Sequence, residues 1–472
     1  MTGERLSDTE TLMWRLEADP WFNSSFGALS QLSGSVDIAY LTARLLRAVA
    51  RVPRLRQRVV ERSGDNPAWE TDPEFELAHH LRHTALPRKA NERDLLDLAA
   101  RLVADPLDRT RPLWQFHVLE LPDGDSAILT KFHHSVTDGE GGVQVALEYL
   151  DLDEGRQPVE SIEELNEQLA ELLDAERPAE PLDALAQAVR DTATRHASRW
   201  RSLAGEAAMY VADPRRVADQ AGGAMETLRR LTDDLPTGKG EGAALWKGRS
   251  RGRALQHIGL DLAASLDAAR QLGGTLNDLL LTGVSMAAAS FHAERGETLE
   301  RLNASFIMST RDEGTGVGNA FTPSPIELPG AGLGTRDRFA LIAGRTEGAK
   351  SRGTQRSELQ AALAGPARFV PASALSAIAR RQAARIDVAT SNLRSAPIPL
   401  WVGGAAVEHN VPIGPVAGTA ANVTLMSYAD RADIGLHLDP AAIDDPEDFR
   451  DVLASALEEL TGKAPLSGPC QA

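Results

Sequence analysis

The spacing of apolar and polar residues divides the chain into two mixed units with a helical segment between them. Near the N-terminus, a helical pattern at residues 37–61 precedes strand-like runs at 112–121 and 127–134. Residues 159–235 are rich in Ala, Glu, Leu, Arg and Asp without strand-like alternation, which favours a helical connector. The stretch 236–243 contains three glycines and predicts a flexible joint.

A second mixed unit follows the joint. It begins with a strand-like run at 254–260 and a helix at 262–272 that ends at a Gly-Gly pair. Thr275 is well placed to cap a second helix at 276–293, whose apolar residues recur at helical spacing. Residues 335–385 have a helical and basic pattern. Further strand-like runs lie at 303–308, 399–402, 421–428 and 433–438.

These elements predict an α/β (α+β) fold in three parts. The boundaries are 1–155 for the N-terminal mixed unit, 156–243 for the connector and 244–472 for the C-terminal mixed unit. With 472 residues and 50.7 kDa, the chain is long enough for several domains with cores of their own. Its 42% hydrophobic and 25% charged residues exclude disorder of the whole chain.

The charge and the cysteine content exclude several kinds of partner and site. Lys and Arg number 50 against 67 Asp and Glu, so the net charge of -17 argues against a nucleic-acid partner. The one cysteine, Cys470, excludes an internal disulfide and a thiolate metal cluster, and favours the reducing cytosol. Neither a signal sequence nor a membrane-spanning segment is recognisable, so we expect a cytoplasmic protein, with peripheral membrane contact left open.

Residues suited to catalysis are concentrated at 131–142, where an apolar run ends in two histidines and a glycine-rich turn. Successive side chains of a strand face opposite sides, so only one of His133 and His134 is expected to point into a cleft. A neutral imidazole with a pKa near ~6.5 is suited to remove a hydroxyl proton at neutral pH. Asp138 lies in a turn made permissive by Gly139, where a carboxylate can orient the loop.

The residues alone leave other interpretations open. A histidine pair at a strand end is more often structural than catalytic. A metal site built from both rings and Asp138 is disfavoured because the rings face opposite sides, so we predict no metal. The chain has no serine-nucleophile elbow, no phosphate-binding loop and no suitably placed cysteine. Direct attack by an acceptor hydroxyl is therefore the simplest reaction.

A known signature matches this segment. His133, His134, Asp138 and Gly139 resemble the HHxxxDG motif of the acyl-CoA-dependent acyltransferases, which include chloramphenicol acetyltransferase and peptide-synthetase condensation domains. Within that superfamily, the chain most resembles the bacterial wax ester synthase/diacylglycerol acyltransferases. Further blocks, in the same order, support the narrower resemblance. They are Phe75-x-Leu77-x-x-His80-x-Arg82-His83, Pro106-Leu107-Asp108-Arg109-x-x-Pro112-Leu113-Trp114, Asn277-Asp278, Ser309-x-Arg311 with Gly318-Asn319, and Ser391-Asn392-Leu393 with Gly414-Pro415 and Ser427-Tyr428.

The resemblance implies a fold and a reaction. We expect two chloramphenicol-acetyltransferase-like subdomains, each a mixed sheet with helices, joined by a helical linker and with an active-site tunnel between them. His134 would be the general base, supported by His133, Asp138 and Gly139. Acyl-CoA would be a substrate, and no cofactor is expected. The residues expected to bind substrate or support the site are Asn277, Asp278, Ser309, Arg311, Gly318 and Asn319.

The acceptor implied by the resemblance is a fatty alcohol or a diacylglycerol, which would give a wax ester or a triacylglycerol plus CoA. Such substrates would favour contact with lipid droplets or with the inner face of the membrane. Two alternatives are a condensation-type acyltransferase of secondary metabolism with another acceptor, and a catalytically silent lipid-binding protein. The sequence gives no oligomeric state.

Two groups of basic or titratable residues have simpler interpretations. The arginines at positions 47, 51, 54, 56 and 58 are either a solvated helix face or a docking patch for CoA phosphates or anionic lipid. His79, His80 and His83 lie in a polar stretch, and we expect them to be exposed.

Overall fold

The structure is a computed structural model that describes residues 4–61, 66–136, 145–177, 242–309, 321–350 and 372–466. These residues form two large sheets and a short hairpin, with helices packed against both large sheets. The helices are α1 (Asp8–Leu16), α2 (Ile38–Arg51), α3 (Glu92–Ala104), α4 (Ile162–Ala175), α5 (Leu262–Gln271), α6 (Leu276–Glu294), α7 (Thr335–Lys350), α8 (Ala372–Ala383) and α9 (Pro446–Thr461). The strands are β1 (Ser25–Ser33), β2 (Gln57–Val60), β3 (Ala68–Thr71), β4 (Leu81–Ala85), β5 (Trp114–Glu120), β6 (Ser126–His133), β7 (Leu150–Asp151), β8 (Ala254–Asp261), β9 (Arg301–Ser309), β10 (Phe321–Pro329), β11 (Val388–Arg394), β12 (Trp401–Val402), β13 (Ala405–Ile413), β14 (Ala421–Tyr428) and β15 (Arg431–Leu438).

The larger sheet has seven strands in the order β4-β5-β6-β1-β13-β12-β7. Its strand β6 pairs antiparallel with β1 on one side and with β5 on the other, and all eight of its residues are buried. Helix α3 contributes Leu95 and Val103 to the core that contains Leu129 of β6. A separate core, around Trp114 and Phe116, contains Phe132 of β6. The strand that leads to the two histidines is therefore packed on both faces.

The second sheet has six strands in the order β10-β9-β11-β14-β15-β8. β11 runs parallel to β9 and β14, and the other pairs are antiparallel. Helix α6 lies in the core of this unit, and Thr275 caps it as predicted. The Thr275 hydroxyl accepts the Asp278 N–H, and the Asp278 carboxylate accepts the Thr275 N–H. A mixed α/β architecture with two sheets is thus confirmed.

One segment that follows residue 244 belongs to the N-terminal sheet. β13 pairs with β1, and β12 pairs with β7, before the chain returns to the second sheet at β14. A Cβ built on Gly435 of β15 would lie only 1.8 Å from the carbonyl oxygen of Pro412 in β13. The two sheets are therefore in direct backbone contact and share one continuous stretch of chain. The boundaries at residues 155 and 243 stay predictions.

A buried polar cluster lies at the same junction. The rings of His257 in β8 and His409 in β13 stack with their centroids 5.0 Å apart, and His257 Nε2 lies 3.0 Å from Asp433 Oδ1. Burial, together with the charge of His257, lowers the pKa of His409 to about 3, so this ring is neutral. Burial raises the pKa of Asp433, but the hydrogen bond from His257 and the nearby positive charges outweigh it and lower the pKa. The carboxylate is thus charged inside the junction.

The described parts of the connector are fixed to both units. Helix α4 packs against the N-terminal core through Leu165 and Leu169, and the Arg56 guanidinium donates to Glu176 at 2.6 and 2.9 Å. At the other end, the Ala243 N–H donates to the Asp387 carboxylate at 3.1 Å. Residues 178–241 lie outside the described residues, so their helical character and the flexible joint stay predictions.

Proline accounts for two of the differences from the predicted pattern. The helix predicted over 37–61 ends at Arg51, because Pro53 cannot continue it, and a 3-10 turn and β2 follow. β10 is not indicated by the sequence, since Pro323, Pro325 and Pro329 disfavour a strand. The structure places β10 at a sheet edge, where a missing N–H costs no ladder bond on the open side.

Replacing Gly435 by alanine tests the contact between the sheets. The added Cβ would collide with the Pro412 carbonyl oxygen, so β13 and β15 must separate, and we expect the free energy of unfolding to fall by about 1–3 kcal/mol. Gly344→Ala is the matched control, because Gly344 is exposed in α7 with no atom outside its own helix within 4 Å. There, alanine should stabilise by about 0.5–1 kcal/mol. Chemical denaturation measures the free energy of unfolding of both variants. If Gly435→Ala is as stable as Gly344→Ala, the close contact at Gly435 is contradicted.

Candidate active site

The end of β6 gives the two histidine rings separate neighbours. His133 is the last residue of the strand, and the His134 N–H donates to the Ser24 carbonyl at 3.2 Å. The His134 ring centroid lies 4.6 Å from that of Phe26, whereas the His133 ring meets the edge of Trp14 at 6.4 Å. This is the geometry expected of successive residues that leave a strand in opposite directions.

His133 is engaged on both ring nitrogens and is only 2% exposed. Nδ1 accepts the Ser135 backbone N–H at 3.0 Å and lies 2.6 Å from the Ser135 hydroxyl. Because Nδ1 acts as an acceptor, the neutral ring carries its proton on Nε2, which donates to Glu17 Oε2 at 2.6 Å. His133 therefore has no ring nitrogen available for a substrate hydroxyl.

Glu17 belongs to the site although no sequence motif indicates it. It follows the last residue of α1, and its carboxylate accepts hydrogen bonds from His133 and from the Ser24 N–H. Burial raises the pKa of Glu17, but the His133 hydrogen bond and charge, the Ser24 N–H and the Arg109 charge together lower it below its usual value. Glu17 is thus ionised at neutral pH. Only the fold brings it to His133, since 116 residues separate the two.

His134 differs from His133 in exposure. His134 is partly exposed as a residue, whereas His133 is buried. Burial and the charge of His133 lower the pKa of His134 to about 4, and the charge of Glu17 opposes this shift. The ring is therefore neutral at pH 7. A neutral imidazole can accept a proton from a bound group.

Several of the predicted site residues cannot be placed beside these histidines. Asp138, Gly139, Arg311, Gly318 and Asn319 lie outside the described residues, so their roles stay predictions. Ser309 ends β9 opposite Phe321 of β10, and its role is likewise a prediction.

The Asp278 carboxylate accepts hydrogen bonds from structural partners on both sides. One carboxylate oxygen accepts from the Thr275 N–H and hydroxyl, and the other accepts from the Thr346 hydroxyl of α7 at 2.6 Å. Asp278 therefore joins the start of α6 to α7. Asn277 is partly exposed, and its side chain forms no hydrogen bond within the described chain. Neither residue bonds to His133 or His134 in that part of the chain.

The expectation that His80 is exposed is wrong. Its ring is 2% exposed and stacks between Phe75 and Trp114, with centroid distances of 5.0 and 4.4 Å. His80 Nδ1 bonds to the Trp114 carbonyl at 2.9 Å, and burial lowers the pKa of His80 to about 4. The burial of His80 could not be predicted from its polar neighbours in the sequence, because His80 lies at a turn before β4. The stack supports β5, which pairs with β6.

The arginines of α2 and its exit do not form a free cationic patch. Each is within ion-pair distance of a carboxylate, at distances of 2.6 to 3.7 Å. The pairs are Arg47 and Arg51 with Glu148, Arg54 with Glu4, Arg56 with Glu176, and Arg58 with Asp72. Because these carboxylates compensate the positive charge, the docking-patch interpretation loses its support.

The described ranges contain neither a metal-binding cluster nor a membrane-spanning helix. No group of three or more His, Cys, Asp or Glu side chains in 4–61, 66–136 and the later described segments is arranged to hold a metal ion. No described helix is both long and apolar enough to cross a membrane.

Comparison with known families identifies the family of the chain. The model described as the wax ester synthase/diacylglycerol acyltransferase catalytic domain matches residues 5–280, and that of the WS/DGAT C-terminal domain matches residues 317–461. The chain belongs to this family. It is an acyltransferase, and the family predicted from the HHxxxDG motif and its companion blocks is confirmed.

Relatives of this WS/DGAT acyltransferase extend over nearly the whole chain. A Mycobacterium tuberculosis protein, named as a candidate diacylglycerol O-acyltransferase, is 29% identical over an alignment of 482 positions that covers 98% of this chain and 92% of the relative. The wax ester synthase/diacylglycerol acyltransferase structure from Marinobacter aquaeolei VT8 covers 97% of this chain and 100% of that one, with 21% identity and a TM-score of 0.64.

A more distant structure shares the fold of the WS/DGAT chain. It is a mutant starter condensation domain of rhizomide synthetase in complex with C8-CoA, with 15% identity, a TM-score of 0.55 and coverage of 98% of this chain and 96% of that one. The solved structures thus confirm the predicted fold with two sheet-containing units.

Alanine substitution distinguishes the contributions of the neighbours Asn277 and Asp278 to the stability of this WS/DGAT enzyme. Asp278→Ala removes the helix cap and the bond to Thr346, so we expect a loss of about 1–2 kcal/mol in the free energy of unfolding. Asn277→Ala, one residue away, should change it by less than about 0.5 kcal/mol. Denaturation curves provide the comparison. A stably folded Asp278→Ala protein that has lost acyl transfer would contradict the structural role.

Proposed function

We propose that this acyltransferase transfers a long-chain acyl group from acyl-CoA to a fatty alcohol or a diacylglycerol, with His134 as the general base. The products are a wax ester or a triacylglycerol, and CoA. The observation that carries the proposal is the asymmetry of the histidine pair. Both ring nitrogens of His133 are engaged, whereas His134 is neutral and partly exposed.

The reaction follows from a neutral His134. The ring takes the proton of the acceptor hydroxyl while the hydroxyl oxygen attacks the thioester carbonyl. The tetrahedral intermediate then collapses, the carbon–sulfur bond breaks, and the imidazolium returns its proton to the CoA sulfur. No covalent acyl-enzyme forms. No cofactor takes part, since acyl-CoA itself supplies the activated acyl group.

The substrates also bear on where the protein works. Family membership supports an acyl-CoA donor and a lipophilic acceptor, and a superfamily fold has been solved with C8-CoA. Long acyl chains and diacylglycerols reside in membranes and lipid droplets rather than in water. We therefore place the protein in the cytoplasm with peripheral contact at the inner membrane face or at lipid droplets.

A matrix of donors and acceptors tests the substrate assignment. Purified protein is incubated with acyl-CoAs of increasing length and with fatty alcohols, diacylglycerol, short alcohols or amines, and free CoA and ester product are quantified. We expect CoA release that depends on a long-chain alcohol or diacylglycerol. Turnover with amines or carrier-bound acyl groups alone would favour a condensation-type enzyme. Lipid binding without thioester consumption would favour a silent lipid-binding protein.

His134→Ala tests the base assignment. Removal of the imidazole should lower kcat by about 10²- to 10⁴-fold, the usual contribution of a general base, with the protein still folded by circular dichroism. His83→Ala is the matched control, because His83 is exposed and pairs with Glu120 on β5, away from the pair at the end of β6. It should retain wild-type turnover. A His134→Ala enzyme with undiminished kcat would refute the assignment.

The pH dependence of kcat/KM provides a second test. A base with a pKa of about 4 is neutral above that pH, so activity should be level from pH 7 to about 5 and fall below about 4. Stability declines earlier, as the pH falls from about 6.5 towards 4, because histidines with pKa values of about 3 to 4 in the folded state bind more protons when unfolded. Initial rates should therefore be measured directly after a rapid pH jump, while the fluorescence of the protein shows that it is still folded. An acid limb centred near pH 6.5 in folded protein would contradict the shifted base.

A further inference from the structure

Helix α1 places a carboxylate where a helix alone would disfavour it. Glu17 follows the last residue of α1, and the C-terminal end of a helix carries partial negative charge. The Ser24 N–H, the His133 Nε2–H and the nearby Arg109 charge compensate Glu17 from outside the helix. Three separate parts of the chain thus hold one negative charge against the histidine pair.

The turn after Glu17 is fixed by the C-terminal unit. Asp19 accepts two hydrogen bonds from the Arg380 guanidinium of α8, at 2.5 and 2.6 Å, and Arg380 lies 5.1 Å from the Trp21 ring centroid. Leu12 and Leu16 of α1 pack against the apolar cluster around Leu375 of α8. Glu17 is therefore held between a contact to the second unit and a contact to the end of β6.

The hydrogen bond between Glu17 and His133 holds a negative charge beside the histidine pair, but no proton is transferred along it. In the neutral ring, Nε2–H donates to Glu17 while Nδ1 accepts from Ser135, so each atom already has the partner that its tautomer requires. His134 is the next residue along the chain. When His134 gains a proton it becomes a cation inside a largely enclosed site, where a fixed anion close by is stabilising.

We propose that Glu17 is a positioning residue for acyl transfer, which holds His133 in its Nε2–H tautomer and balances the positive charge that develops on His134. This inference rests on the proposed function, because it requires His134 to be the base. The direction of the electrostatics supports it, because the negative charge of Glu17 raises the pKa of His134. Glu17 itself exchanges no proton with substrate.

Glu17→Gln is the decisive variant, because it keeps an oxygen acceptor for His133 and removes the charge. We expect kcat to fall by at least about tenfold with KM changed less than threefold, since the lost stabilisation belongs to the charged transition state. The acid limb of kcat/KM should move to lower pH, because His134 becomes harder to protonate. Glu17→Asp keeps the charge and should recover part of kcat and the wild-type acid limb.

Glu10→Gln is the matched control on the same helix. Glu10 lies about two turns before Glu17 and accepts the Ser7 N–H in the capping box, which a glutamine can also do. It should leave kcat and the acid limb unchanged. A folded Glu17→Gln enzyme with wild-type kcat and acid limb would overturn the proposal. So would a loss of thermal stability as its only effect.

Histidine NMR provides a readout that does not depend on turnover. With ¹⁵N-labelled histidine, wild-type protein should show an Nε2–H tautomer for His133, assigned by comparison with His133→Gln. If Glu17→Gln fails to fold, this spectrum and the Glu17→Asp kinetics still decide the question, since an Nδ1–H tautomer in wild type would contradict the proposal. An active His134→Ala enzyme would instead refute the proposed base. An inactive His134→Ala enzyme beside an unaffected Glu17→Gln enzyme would refute only the role of Glu17.

Discussion

A strand that is packed on both faces cannot turn a side chain from one face to the other, and β6 imposes this constraint on the histidine pair. Its eight residues are all buried between the α3 core and the Trp114 core. His133 must therefore leave the strand towards α1, and His134 towards Phe26. The difference in neighbours and in exposure between two identical residues follows from this packing rather than from their chemistry.

The polar groups that accompany this packing are kept either neutral or paired. His80 and His409 remain neutral because burial lowers their pKa values to about 4 and about 3. Arg44 is 2% exposed and donates to Asp151, and Lys131 reaches backbone carbonyls at the end of α3. Buried charges without such partners would cost several kcal/mol each. The net charge of -17 is thus a property of the chain as a whole and does not describe its interior.

The sequence predicts those features that depend on local patterns. The cap at Thr275, the strand that leads to His133 and the two mixed units all follow from spacing and residue type, and the motif identifies the family. The sequence does not predict which sheet a strand joins. The strand-like run at 399–402 is expected in the C-terminal unit, whereas β12, which lies within it, pairs with β7 and β13 in the N-terminal sheet. Partners that are distant in sequence are also missed: Glu17 for His133, Glu148 for Arg47 and Arg51, and the aromatic rings that bury His80. Their contacts exist only once the chain has folded.

Local rules are broken twice at the end of β6, and the two exceptions lie in one chain of contacts. A carboxylate sits at the negative end of α1, and a neutral imidazole is enclosed beside Phe26 although its charged form would be costly there. Neither arrangement improves stability by itself, and in the proposed mechanism each makes the other less unfavourable once a proton arrives on His134. Such paired exceptions are expected where a site has been shaped for a charge that appears only during reaction, whereas purely structural packing would remove both.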